Sequence, residues 1–208
     1  MPRVDAATTA YLALDALSAL MALLVAWFFL RSERLLPARG FGALALAFVA
    51  LAAGYAVTAL SLPPLRASAL LDPARAGAVL LGSALLAVHY VGKRARWSMQ
   101  TWRISGAAIL VALTGFGLLL VVPGARILAP LLLVATSFLV IMEVRAKSLW
   151  DFRVPLAFVC LALTSYTVAI ADLAGNEPVV LPIVYAWRLA GLAMLLSVIW
   201  PSRRFSGG

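Results

Sequence analysis

"YLALDALSALMALLVAWFFLRSER", Tyr11 to Arg34, carries a single charged residue, Asp15, before Arg31. A stretch of about 20 apolar residues is what one helical crossing of a bilayer requires. The run is longer than a secretory h-region and has no small-residue cleavage pattern. Most of its flanking positive charge follows it, so the sequence predicts a retained helix with its N-terminus outside. Trp27 near its end suits headgroup level, where amphipathic rings anchor helices.

Six further runs resemble this one. The expected spans are Thr9 to Leu30, Phe41 to Leu62, Pro73 to Val91, Ile104 to Val122, Arg126 to Met142, Val154 to Ala171 and Val179 to Trp200. Punctuation agrees: Asp72 followed by Pro73 reads as an N-cap and first-turn proline, Pro123-Gly124 separates the fourth run from the fifth, and Pro201 ends the seventh. Across 208 residues, 64% are hydrophobic and 12% charged, a composition outside the soluble range. The fold class expected is all-α, a polytopic seven-transmembrane-helix bundle forming a single domain over residues 1–208.

The formal charge of +9 would suggest nucleic acid in a soluble protein. Here the basic residues set topology. Arg31, Arg34, Arg39, Lys93, Arg94, Arg96, Arg103, Arg145, Lys147, Arg153, Arg203 and Arg204 fall on one side, against Arg3, Arg66, Arg75 and Arg126 on the other. The positive-inside rule puts the larger group, and the C-terminus, in the cytoplasm. Trp97, Trp102, Trp150 and Trp200 lie at that same boundary. The segment Lys93 to Arg103 mixes positive charge with two tryptophans, which suits anionic headgroups, or more sharply a docking partner.

The three runs before the fourth echo the three after it. "RSERLLPAR" (Arg31 to Arg39) matches "RAKSLWDFR" (Arg145 to Arg153), and "LAFVALA" (Leu46 to Ala52) matches "LAFVCLA" (Leu156 to Ala162). Gly82 and Ala84 then fall opposite Gly191 and Ala193, and Arg94 opposite Arg203. This is the pattern of a 3+1+3 internal repeat, although shared Ala and Leu composition alone also produces such matches.

Two charges lie well inside spans, Asp15 and Arg188. At 1.5 Å per residue they sit about 9 and 13 Å from the outer end, and a helical side chain leans toward its N-terminus, so Arg188 reaches the level of Asp15. An ion pair between the first and seventh helices is expected, since either charge alone is costly in hydrocarbon. Tyr11, Tyr55, Tyr166 and Tyr185 fall near the same depth and complete an intramembrane polar cluster. The plainer reading of it is a structural clamp; the sharper one is a site for a ligand, a quinone headgroup or a proton. His89 and Glu143 lie near the cytoplasmic ends of the third and fifth helices. They pair as proton-handling groups or, more plainly, are interfacial residues in reach of water. Small-residue stripes at Ala43, Ala47, Ala50 and Gly54, and at Ser105, Ala108, Ala112 and Gly115, read as close helix packing.

Several chemistries fall away. Cys160 is the only cysteine and His89 the only histidine, so neither an intrachain disulfide nor an ordinary zinc or bis-histidine haem site can form. Both lysines, Lys93 and Lys147, lie in loops, which removes a retinal Schiff base. In helix count and orientation the layout is similar to that of SWEET-type sugar transporters, but the Pro-Gln motif of that family is missing and no residue is carried over. No cofactor is predicted from one chain, beyond lipid or quinone contact. The sequence points first to a non-catalytic accessory or anchoring subunit of a larger membrane complex in the plasma membrane, respiratory complexes included. Its partners would be the bilayer and other membrane subunits or a second copy, not nucleic acid. The alternatives are a small-solute or proton-coupled transporter and a ligand-sensing bundle.

Overall fold

A computed structural model describes residues 6–35, 40–60, 71–97, 100–122, 127–146, 152–174 and 177–199. Seven α-helices account for nearly all of them: α1 (Ala6–Leu35), α2 (Phe41–Leu60), α3 (Leu71–Arg94), α4 (Thr101–Val121), α5 (Leu128–Ala146), α6 (Arg153–Ala174) and α7 (Glu177–Ile199). Six are long and apolar enough to cross a membrane, and the chain is a multi-pass helical bundle. α5 is the short one. Its apolar run, Leu128–Val144, comes to about 26 Å, against a hydrocarbon thickness of about 30 Å.

Element boundaries differ modestly from the sequence reading. α3 is described from Leu71, so Asp72 falls within its first turn. Pro182 lies inside α7, three residues before Tyr185, where it removes one helical hydrogen bond. Pro123, Gly124 and Pro201, with Trp150 and Trp200, lie outside the described residues. Trp27, Trp97 and Trp102 are exposed around the basic end, the end that carries Arg31, Lys93 and Arg103. Arg31 and Arg103 stack over Trp27 and Trp102 at 5.9 and 5.1 Å.

The helices close a ring. α1 packs on α2, α2 on α3, α3 on α5, α5 on α6, α6 on α7, and α7 back on α1. α4 lies against α3 and, more lightly, α2. It buries Ile104, Ala108, Ala112 and Gly115 and turns Leu110, Leu113 and Leu120 outward, as a peripheral membrane helix does. Replacing α1, α2, α3 by α5, α6, α7 maps every contact of the ring onto another. Partners run the same way across both seams: the first halves of α1 and α7 meet through Asp15 and Arg188, and the last turns of α3 and α5 through Lys93 and Glu143. The operation relating the halves is therefore a rotation about an axis along the helices.

Two glycines carry the matching contact. A Cβ on Gly82 would stand 2.9 Å from the Ala47 carbonyl oxygen and 2.8 Å from Leu51 Cγ; one on Gly191 would stand 2.9 Å from the Ala157 carbonyl oxygen and 3.3 Å from Leu161 Cγ. Ala47 and Leu51 are the residues that the sequence match sets opposite Ala157 and Leu161. The 3+1+3 pattern is thus a packing pattern too, in which a small residue lets α3 approach the backbone of α2, and α7 that of α6.

Between the ring helices, toward the basic end, lies an apolar core that includes Val25, Phe48, Leu86, Phe158 and Leu192. Ser18, Ser83, Thr136, Ser137 and Thr164 are buried too, and each donates its hydroxyl to the carbonyl four residues earlier. That bond satisfies the donor without any partner helix. The opposite half of the bundle holds the buried ion pair of Asp15 and Arg188.

Candidate functional site

α1 and α7 bring Asp15 and Arg188 together. Arg188 Nη1 donates to Asp15 Oδ1 at 2.5 Å, and the Tyr185 hydroxyl donates to Oδ2 at 2.7 Å. Asp15 is fully buried and Arg188 is 5% exposed. The carboxylate therefore has a donor on each oxygen. Tyr11, one turn before Asp15, stacks on Tyr185 with ring centroids 5.4 Å apart and planes 12° from parallel. The guanidinium lies over two aromatic faces, Tyr55 at 4.4 Å and Tyr185 at 5.0 Å, and a desolvated cation over a ring face is favourable.

Five of the six residues expected in the cluster meet here. Tyr166 does not: it is 45% exposed on the outside of α6, because depth along a helix says nothing about which way a side chain faces around it.

The pair neutralises itself, but Arg188 is not fully used. Its Nε is buried and has no hydrogen-bond partner. Arg188 also lines a cavity of about 410 Å³ that extends between α3, α5, α6 and α7 to the end of the bundle away from the basic cluster. The walls are mostly apolar, with Val79, Leu80, Phe116 and Val184 among them. Hydroxyls come from Tyr55, Thr58, Thr164, Ser165 and Tyr185, and a second cation, Arg75, lines it as well. A pocket of this size, apolar with a few convergent polar groups, is the usual form of a small-ligand site.

Sequence reasoning missed Arg75, Thr58, Thr164 and Ser165. The one signal for Thr164 was its place one turn from Cys160 on the face that carries Ala157 and Leu161.

At the basic end an ion pair joins α3 to α5. Glu143 binds Lys93, 2.5 Å away. His89 is only 2% exposed, and its Nδ1 has no hydrogen-bond partner. The reading of His89 as a residue in reach of water is corrected: it lies four residues before Lys93, on the inward side of α3, while Lys93 follows the helix outward. A polar clamp that the sequence did not disclose sits nearby. Glu33 accepts from the Gly42 backbone N–H at 3.0 Å and from the Thr101 hydroxyl at 2.9 Å, tying the end of α1 to the starts of α2 and α4.

Compared with protein-family models, curated proteins and solved structures, the chain matches none. The site is read from its own geometry.

Proposed function

We propose that the chain is a small-solute carrier, with its binding site in the cavity beside Arg188. The single observation behind this reading is that cavity: it opens toward one end of a ring of two matching halves, while an apolar core fills the other end. Two similar three-helix units around a mid-bundle site are the usual architecture of alternating access, where the halves rock about a fixed site. A clamp alone needs no such space beside it. With the basic end in the cytoplasm of the cell membrane, the site faces outward.

Accessibility tests this without a known solute. In a Cys160→Ser background, Thr164→Cys places a thiol in the cavity wall. A membrane-impermeant maleimide should label it from outside in right-side-out vesicles and, on a slower timescale, from the basic side in inverted ones. Labelling confined to one side would overturn the carrier reading.

The accessory-subunit reading has one observation in its favour, the mutual satisfaction of Asp15 and Arg188, which requires no ligand. It predicts that Arg188→Leu destabilises the bundle by about 3–5 kcal/mol by stranding a buried carboxylate, and that Asp15→Leu with Arg188→Leu largely restores it. The carrier shares that stability pattern. The readings part on the double variant, which in a carrier folds yet loses solute-dependent function and in an anchoring subunit still captures its membrane partners.

A further inference from the structure

The nitrogens of Arg188 are not equally used. Nη1 donates to Asp15 Oδ1, while Nε is buried without a hydrogen-bond partner in a side chain that lines the cavity. In a guanidinium the Nε–H and the neighbouring Nη2–H point the same way and form one edge for an oxygen acceptor. A buried donor on a charged group is costly to leave unpaired. Thr58 and Thr164, also in the wall, spend their protons on the carbonyls of Gly54 and Cys160, each 2.9 Å away. What the site calls for is an acceptor on the Nε edge.

Asp15 already sets its charge against this guanidinium. A second carboxylate on the same group would lie within about 6 Å of the first, where like charges disfavour each other. An uncharged carbonyl oxygen meets the need without that repulsion, since its two lone pairs match the two N–H groups of the edge. We propose that the cavity binds an uncharged apolar carbonyl compound, a ketone or ester, with its oxygen on the Nε edge of Arg188 and its hydrocarbon against Val79, Phe116 and Val184. An apolar cavity of about 150 Å³ takes one benzene ring. The volume here, about 410 Å³, therefore admits a chain of roughly ten carbons. Polyols are disfavoured by the apolar wall, since each hydroxyl without a partner costs desolvation energy.

This ligand class rests on the cavity being the carrier's binding site, and the experiment separates the two. The full-length protein in lipid nanodiscs is titrated with methyl octyl ketone carrying an isotope label at its carbonyl, and the infrared carbonyl band is followed. A hydrogen bond to the oxygen lowers the stretching frequency, so a saturable band should appear below that of the ketone in protein-free nanodiscs. Unlabelled ketone should displace the labelled one. Decane should compete at least about tenfold more weakly, because it leaves Nε unpaired, and decanoate should also compete more weakly than the ketone.

Arg188→Lys keeps a cation beside Asp15 but puts a methylene where Nε stands, so it should fold and lose the low-frequency band. Ala76→Leu fills the cavity from α3 without touching the ion pair, and should lose it as well. Decane competing as well as the ketone, with binding abolished by Ala76→Leu, would overturn the carbonyl assignment while leaving the cavity a site. Decanoate competing more tightly than the ketone would overturn the assignment of an uncharged ligand. No shifted band in the unaltered protein, or a band unchanged in Arg188→Lys, overturns the proposal outright. The competitors act on the unaltered protein, so they decide even where a variant does not fold. None of these results bears on the two-sided labelling of Thr164→Cys, which tests the carrier reading by itself.

Discussion

A methyl group at Gly82 or Gly191 has nowhere to go. In both places the nearest obstacles include a backbone carbonyl, at 2.9 Å, which cannot rotate aside as a side chain can. Gly82→Ala and Gly191→Ala should therefore each destabilise the protein by about 1–3 kcal/mol through forced separation of two helices, read as a fall in the midpoint of denaturant or thermal unfolding in detergent. Gly106, where an added Cβ meets nothing within 4 Å, is the control. Gly106→Ala should be neutral or stabilise by up to about 1 kcal/mol, since alanine is the better helix former. Asp15 and Arg188 are legible in the sequence because charges inside apolar runs stand out and depth follows from counting. Tyr166 and His89 were not, since the azimuth of a side chain depends on how each helix is rotated in the bundle. The cavity was not legible either: it is a relation among six helices and leaves no mark in any one of them.

Helix ends set the second scale. Glu33 holds α1, α2 and α4 together at the basic end through two hydrogen bonds to one carboxylate. Glu33→Ala should cost about 1–3 kcal/mol by leaving the Gly42 N–H and the Thr101 hydroxyl without their acceptor, and Glu33→Gln should recover part of it; unfolding midpoints of both variants decide. The end of α3 is stopped differently. Trp97 N–H returns to the Gly92 carbonyl at 2.9 Å while Arg96 takes a φ of 56°, the left-handed position that usually falls to glycine. Arg96→Gly should relieve that strain and raise stability by up to about 1 kcal/mol, measured in the same unfolding assay. Existence and order of the seven helices were readable because apolar length is written in composition. These terminal devices were not, since Glu33 in "RSER" looks like any solvated loop charge until α2 and α4 are placed beside it.

At the scale of the molecule, the two seams of the ring are not alike. In the register that sets Gly82 opposite Gly191, Arg188 falls opposite Val79; in the register that sets Arg31 opposite Arg145, Asp15 falls opposite Ala129. Val79 and Ala129 both line the cavity. Where one seam holds an ion pair, the other holds two small apolar side chains and open space. The repeat in sequence is weak where the two seams differ, and the match is close at the glycine contacts that both halves share.

The placement of α4 outside the ring has a consequence for how the halves stay joined. It bridges them as a tether and packs chiefly on α3 and, more lightly, α2, so its covalent link to α5 supplies effective concentration more than interface. Cut between α4 and α5 and expressed as two polypeptides, the halves should find each other in the membrane through the two seams. In that form Arg188→Leu would no longer loosen one side of a continuous chain. It would set a dissociation constant.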